Sequence, residues 1–327
     1  MPALSDNLET HARRPFTGRF APSPTGRMHA GNIFAALVTW LLCRLDGGQV
    51  VLRIEDLDRE RSRQEYAEQI MRDFESLGLT WDKGPYYQHD RDEAYAHCFQ
   101  KLTEKGLVYP CFCTRADLKA ASAPQGSEKW VYAGTCRNLT ETQREDAYLK
   151  LSKEGRIGAA KRLCVPQDGH TWVVEDLLQG RFEQDLATQC GDFIVQRADG
   201  AFAYQLAVVV DDADQGINLV SRGSDLLSSS PQQRYLQHLL GLPSVDYAHV
   251  PLFTASDGRR LAKRDKDAAF DALLQQYRTP EGVLGHIAYV SGLVQHDCPQ
   301  TASEILQQVS FESIRESCNG VTAIAFA

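Results

Sequence analysis

Nowhere in the 327 residues does an apolar run approach the roughly 18 to 20 continuous residues that a membrane-spanning helix needs. The opening residues, MPALSDNLETHARR, lack the apolar segment of a signal peptide and read as a loose N-terminal extension. No internal repeat and no low-complexity tract interrupts the sequence. An excess of positive charge is also missing. With 35 Lys and Arg against 43 Asp and Glu, the net charge is -8, which argues against a general nucleic-acid coat protein but leaves room for a local basic surface. The nine cysteines are an odd number, and a disulfide framework is not expected. What is present is ordinary for a globular chain: 43% apolar and 24% charged residues, and a length sufficient for one large or two modest domains around a buried core. A soluble, cytoplasmic protein is expected.

Periodicity supplies the organisation. TGRF (17–20) reads as a strand, followed by a Pro/Ser/Gly loop and by NIFAALVTWLLCRL (32–45), apolar nearly all round as a buried helix is. Gly47 and Gly48 end it, and VVLRI (50–54) is a buried strand by its β-branched run. That order is one βαβ unit and implies a parallel sheet. Helices are expected at about 63–77 and 91–105, the second capped by Asp90 and stopped by Gly106. Residues 108–163 break the rhythm with a cysteine cluster and read as an insertion. Strands resume at 171–174, 181–185 and 192–196. From Tyr204 the βα pattern returns, with INLVSR (217–222), a helix near 231–240 and VPLFT (250–254). Helices at about 267–277, 281–293 and 301–308 close the chain. The expected fold is α/β, a Rossmann-like doubly wound parallel sheet. Its parts are an extension (1–16), two halves of a catalytic domain (17–107 and 164–265), the insertion (108–163) and a helical C-terminal segment (266–327).

RFAPSPTGRMHAGN (19–32) is the strongest chemical signal. Two prolines and two glycines tighten a loop between a strand and a helix, with His29 and Asn32 at the helix entrance. A helix N-terminus after a parallel strand is an anion site, through free N–H groups and the dipole, and an imidazole and an amide there donate to a phosphate whose charge is redistributing. SDGRRLAKRD (256–265) places further cations after the last strands of the sheet, and Lys263 with Arg260 would stabilise charge on a departing phosphate group. LRIEDLD (52–58) sets Glu55 at the carboxyl end of the second strand, and Arg222 lies at another strand end. Taken singly, Glu55 is as readily a loop acid and Tyr204 a core aromatic. Asp211 and Asp212 read as magnesium ligands or as a solvated or capping pair. Cys111, Cys113 and Cys136 offer three thiolates; zinc wants four ligands, and spacing leaves Cys164, His170 or Tyr132 open as the fourth.

RFAPSPTGRMHAGN resembles the signature of glutamate- and glutamine-specific class I aminoacyl-tRNA synthetases, with HAGN in the place of "HIGH". RLAKR (260–264) resembles "KMSKS", departing from it at Arg260, Ala262 and Arg264, with Lys263 in the second-lysine place. The cysteine segment and the short C-terminal part are similar to those of the glutamyl-queuosine tRNA(Asp) synthetases. That resemblance implies ATP-dependent formation of glutamyl-adenylate without tRNA, then transfer of glutamate to the queuosine base at the wobble position of tRNA(Asp). It implies His29 and Lys263 as catalytic residues, and Arg19, Ser23, Glu55, Tyr204 and Arg222 as the L-glutamate site. It further implies His29, Asn32, Arg260 and Lys263 at ATP with Mg²⁺, and Cys111, Cys113, Tyr132 and Cys136 around one structural Zn²⁺. A monomer without an anticodon-binding domain is expected. A minimal glutamyl-tRNA synthetase charging tRNA(Glu) at its 3′ end, and a non-catalytic zinc-containing RNA-binding protein, are the rival readings.

Overall fold

A computed structural model describes residues 14–114, 116–117, 131–255 and 269–326. Three parallel strands open the chain. β1 (Thr17–Phe20) pairs with β2 (Gln49–Ile54), which pairs with β3 (Lys83–Tyr87). Between β1 and β2 runs α1 (Ala30–Leu45), buried on nearly every side as its composition predicts, and ended by Gly47 at φ +66°. Gly18 lets α1 lie close on β1, since a Cβ there would stand 2.6 Å from Cys43 Sγ. α2 (Gln64–Ser76) and α3 (Asp92–Glu104) follow. The N-cap of α3 is Arg91, not Asp90, which sits in the short 3₁₀ turn before it.

A second sheet has the order β7-β6-β10-β9, from β6 (Thr171–Asp176), β7 (Gly180–Asp185), β9 (Leu219–Gly223) and β10 (Asp246–Val250). The β9–β10 and β10–β6 pairs are parallel, and β6–β7 is an antiparallel hairpin. The sheets meet where β1 lies beside β9. Asn218 N donates to Thr17 O (3.0 Å), Thr17 N donates to Asn218 Oδ1 (2.6 Å) and Arg19 Nη1 donates to Ser221 O (2.9 Å). The contacts advance together along both strands, so the two run the same way. The chain departs to opposite sides from this seam, which is where open α/β sheets form their ligand crevice.

A separate antiparallel sheet holds β4 (Val108–Cys111), β5 (Ala160–Leu163) and β8 (Phe193–Gln196) in that order. Helix α4 (Glu141–Lys153) lies between β4 and β5, and the short α5 (Leu186–Gln189) precedes β8. Its third strand thus comes from beyond residue 163. α6 (Tyr204–Asp214) and α7 (Ser230–Leu240) flank β9. The run 250–254, expected as one strand, is divided at Pro251 into the end of β10 and a three-residue strand, β11 (Leu252–Thr254). β11 pairs with β12 (Ala323–Ala325) after α8 (Phe270–Tyr277), α9 (Pro280–Val290), α10 (Ala302–Leu306) and α11 (Phe311–Cys318). These four helices share the largest hydrophobic cluster with α1, β1 and β2. Phe16, assigned from sequence to the N-terminal extension, belongs to that cluster and is 1% exposed; residues 1–13 lie outside the described residues. Among the described residues no helix is long and apolar enough to cross a membrane.

Candidate active site

A cavity of about 530 Å³ opens at the seam, and its wall joins the loop after β1, the start of α1 and the ends of β2 and β9. His29 is the N-cap of α1, in extended conformation (φ -123°, ψ 167°). Asn32 turns its side chain back, and its Oδ1 accepts the His29 backbone N–H at 3.2 Å. This fixes the amide and leaves its NH₂ group as the outward donor. A Cβ at Gly31 would come within 3.2 Å of both Cε1 and Nδ1 of His29, so the imidazole lies over the first turn of the helix. The helix N-terminus and the two side chains together form an anion-facing corner.

Arg19, Glu55, Tyr204 and Arg222 line the same cavity, as does Ser23 in the loop. Arg19 is 4% exposed. Its Nε lacks a hydrogen-bond partner and stands 3.6 Å from Asp212 Oδ1. Burial lowers Arg19 from its usual range, opposed by Asp212 and reinforced by Arg53 and Arg222. Glu55 accepts from Arg53 Nη2 at 3.2 Å. Burial raises its carboxyl above the ordinary value, with Arg53 and then Arg19 pulling the other way. Arg222 Nη1 donates to the Tyr204 hydroxyl at 3.0 Å, so the two side chains are held together at the cavity wall.

Sequence reasoning missed Arg53 and, with it, the supporting role of Asp211 and Asp212 in this pocket. Arg53 is fully buried and donates to Asp212 (2.8 Å), Gln215 (3.0 Å) and Glu55. Asp211 accepts from Gln88 (2.8 Å), Arg91 (3.0 Å) and Tyr95 (2.8 Å). Asp211 and Asp212 are therefore buried counter-ions of a guanidinium cluster, neither solvated nor capping, with oxygens engaged by neighbouring donors. The signal available was Arg53 itself, a charge in the middle of an apolar strand, which has to be paired when buried. Ser221 Oγ, also in the cavity wall, is buried without a hydrogen-bond partner. Arg260 and Lys263, with the departures at Ala262 and Arg264, lie outside the described residues.

Cys111, Cys113 and Cys136 bring their Sγ atoms within 4.8 Å of one another. Cys113 and Cys136 are 3.6 Å apart, and the Tyr132 hydroxyl lies 3.5 Å from Cys111 Sγ and 3.9 Å from Cys113 Sγ. Ligands about 2.3 Å from a tetrahedral centre are spaced by about 3.7 Å, so the donor set fits such an ion in both chemistry and size. Among the described residues neither Cys164 nor His170 joins the group. Arg162 donates to Cys111 Sγ at 3.2 Å and stacks on the Tyr132 ring at 3.8 Å. The hydrogen bond from Cys136, with those from Tyr132 and Arg162, holds the Cys111 thiol down to about 4, while Cys136 and Tyr132 are pushed up.

Residues 16–312 match the model of the class I tRNA synthetase (E and Q) catalytic domain. The chain is 41% identical over 326 residues to the glutamyl-Q tRNA(Asp) synthetase of Symbiobacterium thermophilum, covering 94% of this chain and 98% of that one. It belongs to the glutamyl-Q tRNA(Asp) synthetase family of class I. The glutamyl-Q tRNA(Asp) synthetase of Thiobacillus denitrificans is 45% identical over 265 residues, 79% of this chain and 83% of that protein. The fold matches the crystal structure of a glutamate tRNA ligase from Elizabethkingia meningosepticum in complex with its amino acid, with a TM-score of 0.76 at 23% identity. That match spans 96% of this chain and 67% of the ligase, and speaks for the α/β fold. As a glutamyl-Q tRNA(Asp) synthetase family member, the chain is a ligase.

Proposed function

We propose that this enzyme activates L-glutamate with ATP and transfers it to the queuosine base at the wobble position of tRNA(Asp). What carries the reading is one crevice that combines the α1 anion corner with two buried arginines and a carboxylate. Glutamate presents two carboxylates and an ammonium group. Arg222 with Tyr204 suits the side-chain carboxylate, since the fixed guanidinium offers a charged N–H beside the phenol hydroxyl. Arg19 and Ser23 suit the α-carboxylate, and Glu55 the ammonium. The α-carboxylate oxygen attacks the α-phosphorus of ATP, and the bond to the bridging oxygen of pyrophosphate breaks. His29, Asn32 and the helix N-terminus stabilise the phosphate charge in that step. Arg260 and Lys263 are proposed to hold the β- and γ-phosphates, and Mg²⁺ supplies further positive charge there when bound with ATP. A cyclopentenediol hydroxyl then attacks the adenylate carbonyl; it gives up its proton, the bond to the phosphate oxygen breaks and AMP leaves.

We read the architecture as a Rossmann-like, doubly wound domain (17–107 and 164–265) split by a metal-holding insertion (108–163), whose sheet takes its third strand, β8, from the second half. Cys111, Cys113, Tyr132 and Cys136 would hold one structural Zn²⁺, with Arg162 offsetting the negative charge of the thiolates. The protein is proposed to work in the cytoplasm as a monomer.

The deciding experiment supplies labelled glutamate, ATP and Mg²⁺ with tRNA(Asp) bearing queuosine, tRNA(Asp) lacking it, and tRNA(Glu). Label on the queuosine form alone is expected; label on tRNA(Glu) would overturn the acceptor assignment. Arg222→Ala is expected to abolish glutamate-dependent ATP–pyrophosphate exchange in a protein of unchanged fold.

A further inference from the structure

The side of Arg222 away from Tyr204 is built from groups that the reaction does not touch. Its Nε donates to His249 Nε2 at 3.1 Å, and its Nη2 donates to Ser230 Oγ at 2.8 Å and to Leu226 O at 3.3 Å. With the bond from Nη1 to Tyr204, four of the five guanidinium hydrogens are engaged among the described residues. His249 is 0% exposed, and its Nδ1 lies 2.6 Å from Asp176 Oδ2. Asp176 is fixed in turn, accepting the backbone N–H groups of His249 (3.1 Å), Leu178 (3.0 Å) and Gln179 (2.9 Å). Sheet register builds the line: β9 and β10 pair Arg222 with His249, and β10 and β6 pair Tyr247 with Asp176.

An arginine N–H only donates, so His249 Nε2 has to be an acceptor. The single ring proton then belongs on Nδ1, where Asp176 receives it. Asp176 thereby selects the tautomer, a role carboxylates commonly play for functional imidazoles. The groups facing His249 are Asp176 from β6, Arg222 from β9, Arg19 from β1 and Ser230 from α7, with the Tyr247 ring stacked on it from its own strand. Burial, with Arg222 and Arg19, outweighs Asp176 and holds the imidazole below its usual range. A protonated ring would oppose donor to donor and cation to cation.

We propose that Asp176 and His249 are positioning residues for amino-acid recognition: as a neutral acceptor held by Asp176, His249 locks the Arg222 plane so that its remaining Nη1 hydrogen meets the side-chain carboxylate. This rests on the assignment of Arg222 to glutamate. The test measures glutamate-dependent ATP–pyrophosphate exchange and Tm for His249→Ala, His249→Gln, Asp176→Asn and Arg222→Lys. His249→Ala is expected to raise KM for glutamate about tenfold or more, with kcat and KM for ATP nearly unchanged. His249→Gln, whose amide both accepts from Arg222 and donates to Asp176, is expected to recover most of the loss, and Asp176→Asn to fall between. Nitrogen-15 spectra at neutral pH are expected to show His249 protonated at Nδ1 alone.

An unchanged glutamate KM in a folded His249→Ala protein would overturn the inference. So would equal losses for glutamate and ATP, or protonation at Nε2. Should His249→Ala fail to fold, His249→Gln, Asp176→Asn and the spectra decide in the same way. If Arg222→Lys raises the glutamate KM while the His249 and Asp176 variants do not, the positioning role alone falls. No glutamate-dependent exchange in the unaltered enzyme would remove the assignment of Arg222 and this inference with it.

Discussion

Gly31 shows how one missing atom makes room for a neighbouring ring. The His29 ring occupies the space that a Cβ at Gly31 would contest at 3.2 Å. Alanine suits a helix better than glycine by about 1 kcal/mol, so Gly31→Ala is expected to keep or raise Tm. Displacing the imidazole is expected to slow glutamate-dependent exchange by about tenfold. A Tm that rises while the rate holds would mean the ring does not need that seat. Glu55 sets function against stability in another way. Burial raises its pKa, so in the folded state ionisation costs stability at every pH above the unfolded value of 4.5. Glu55→Gln is therefore expected to raise Tm by a few degrees at pH 7.5, an advantage that fades as the pH falls toward 4.5. The same variant is expected to lose glutamate activation, and paired thermal melts and exchange assays check both arms. His29, Glu55 and Arg222 were legible in the sequence as candidates because they sit in motifs at a helix entrance and at strand ends. His249 and Asp176 were not, because a buried hydrogen-bond line between three strands leaves no local pattern.

Among the elements, the seam between β1 and β9 is held in part by the Asn218 side chain, beside the Arg19–Ser221 and Asn218–Thr17 bonds. Asn218 accepts from Thr17 N and donates to Pro15 O at 3.1 Å, tying both ends of the approach. Asn218→Ala strands the part-buried Thr17 N–H there and removes the tie to Pro15 O. It is expected to destabilise by about 1–2 kcal/mol in urea unfolding, and a midpoint equal to the parent's would refute that. Continuous apolar and β-branched runs made α1 and β2 readable, and the Gly106 stop marked the end of α3. β3, whose KGPYY is mostly exposed, carries no alternation, and it is a strand because β2 offers it an edge. β10 was hidden for a different reason: its DYAHV run contains a buried histidine whose partners lie in β6 and β9. α11 and β12 are short, and tertiary packing against Phe16 and β11 makes them.

At the scale of the molecule, the cysteine group lies in the β4-β5-β8 sheet region and takes no part in the cavity wall. Purified without chelators, the protein is expected to hold about one zinc per chain. Stripping the metal, or making Cys136→Ser, is expected to lower Tm while leaving glutamate-dependent exchange largely intact. Loss of exchange in step with zinc would tie that region to the first chemical step. The seam has a consequence of its own. Arg19 stands on β1 and Arg222 on β9, so an amino acid held by both carboxylates spans the joint as a cross-brace. Although α1 packs against both β1 and β9, the ligand-free chain is expected to open first along this joint, as along a fault line. Glutamate should not merely raise the melting temperature but change its character, merging a broad, stepwise transition into a single sharp one in a calorimeter. A monocarboxylate able to reach only one side would leave the fault line open.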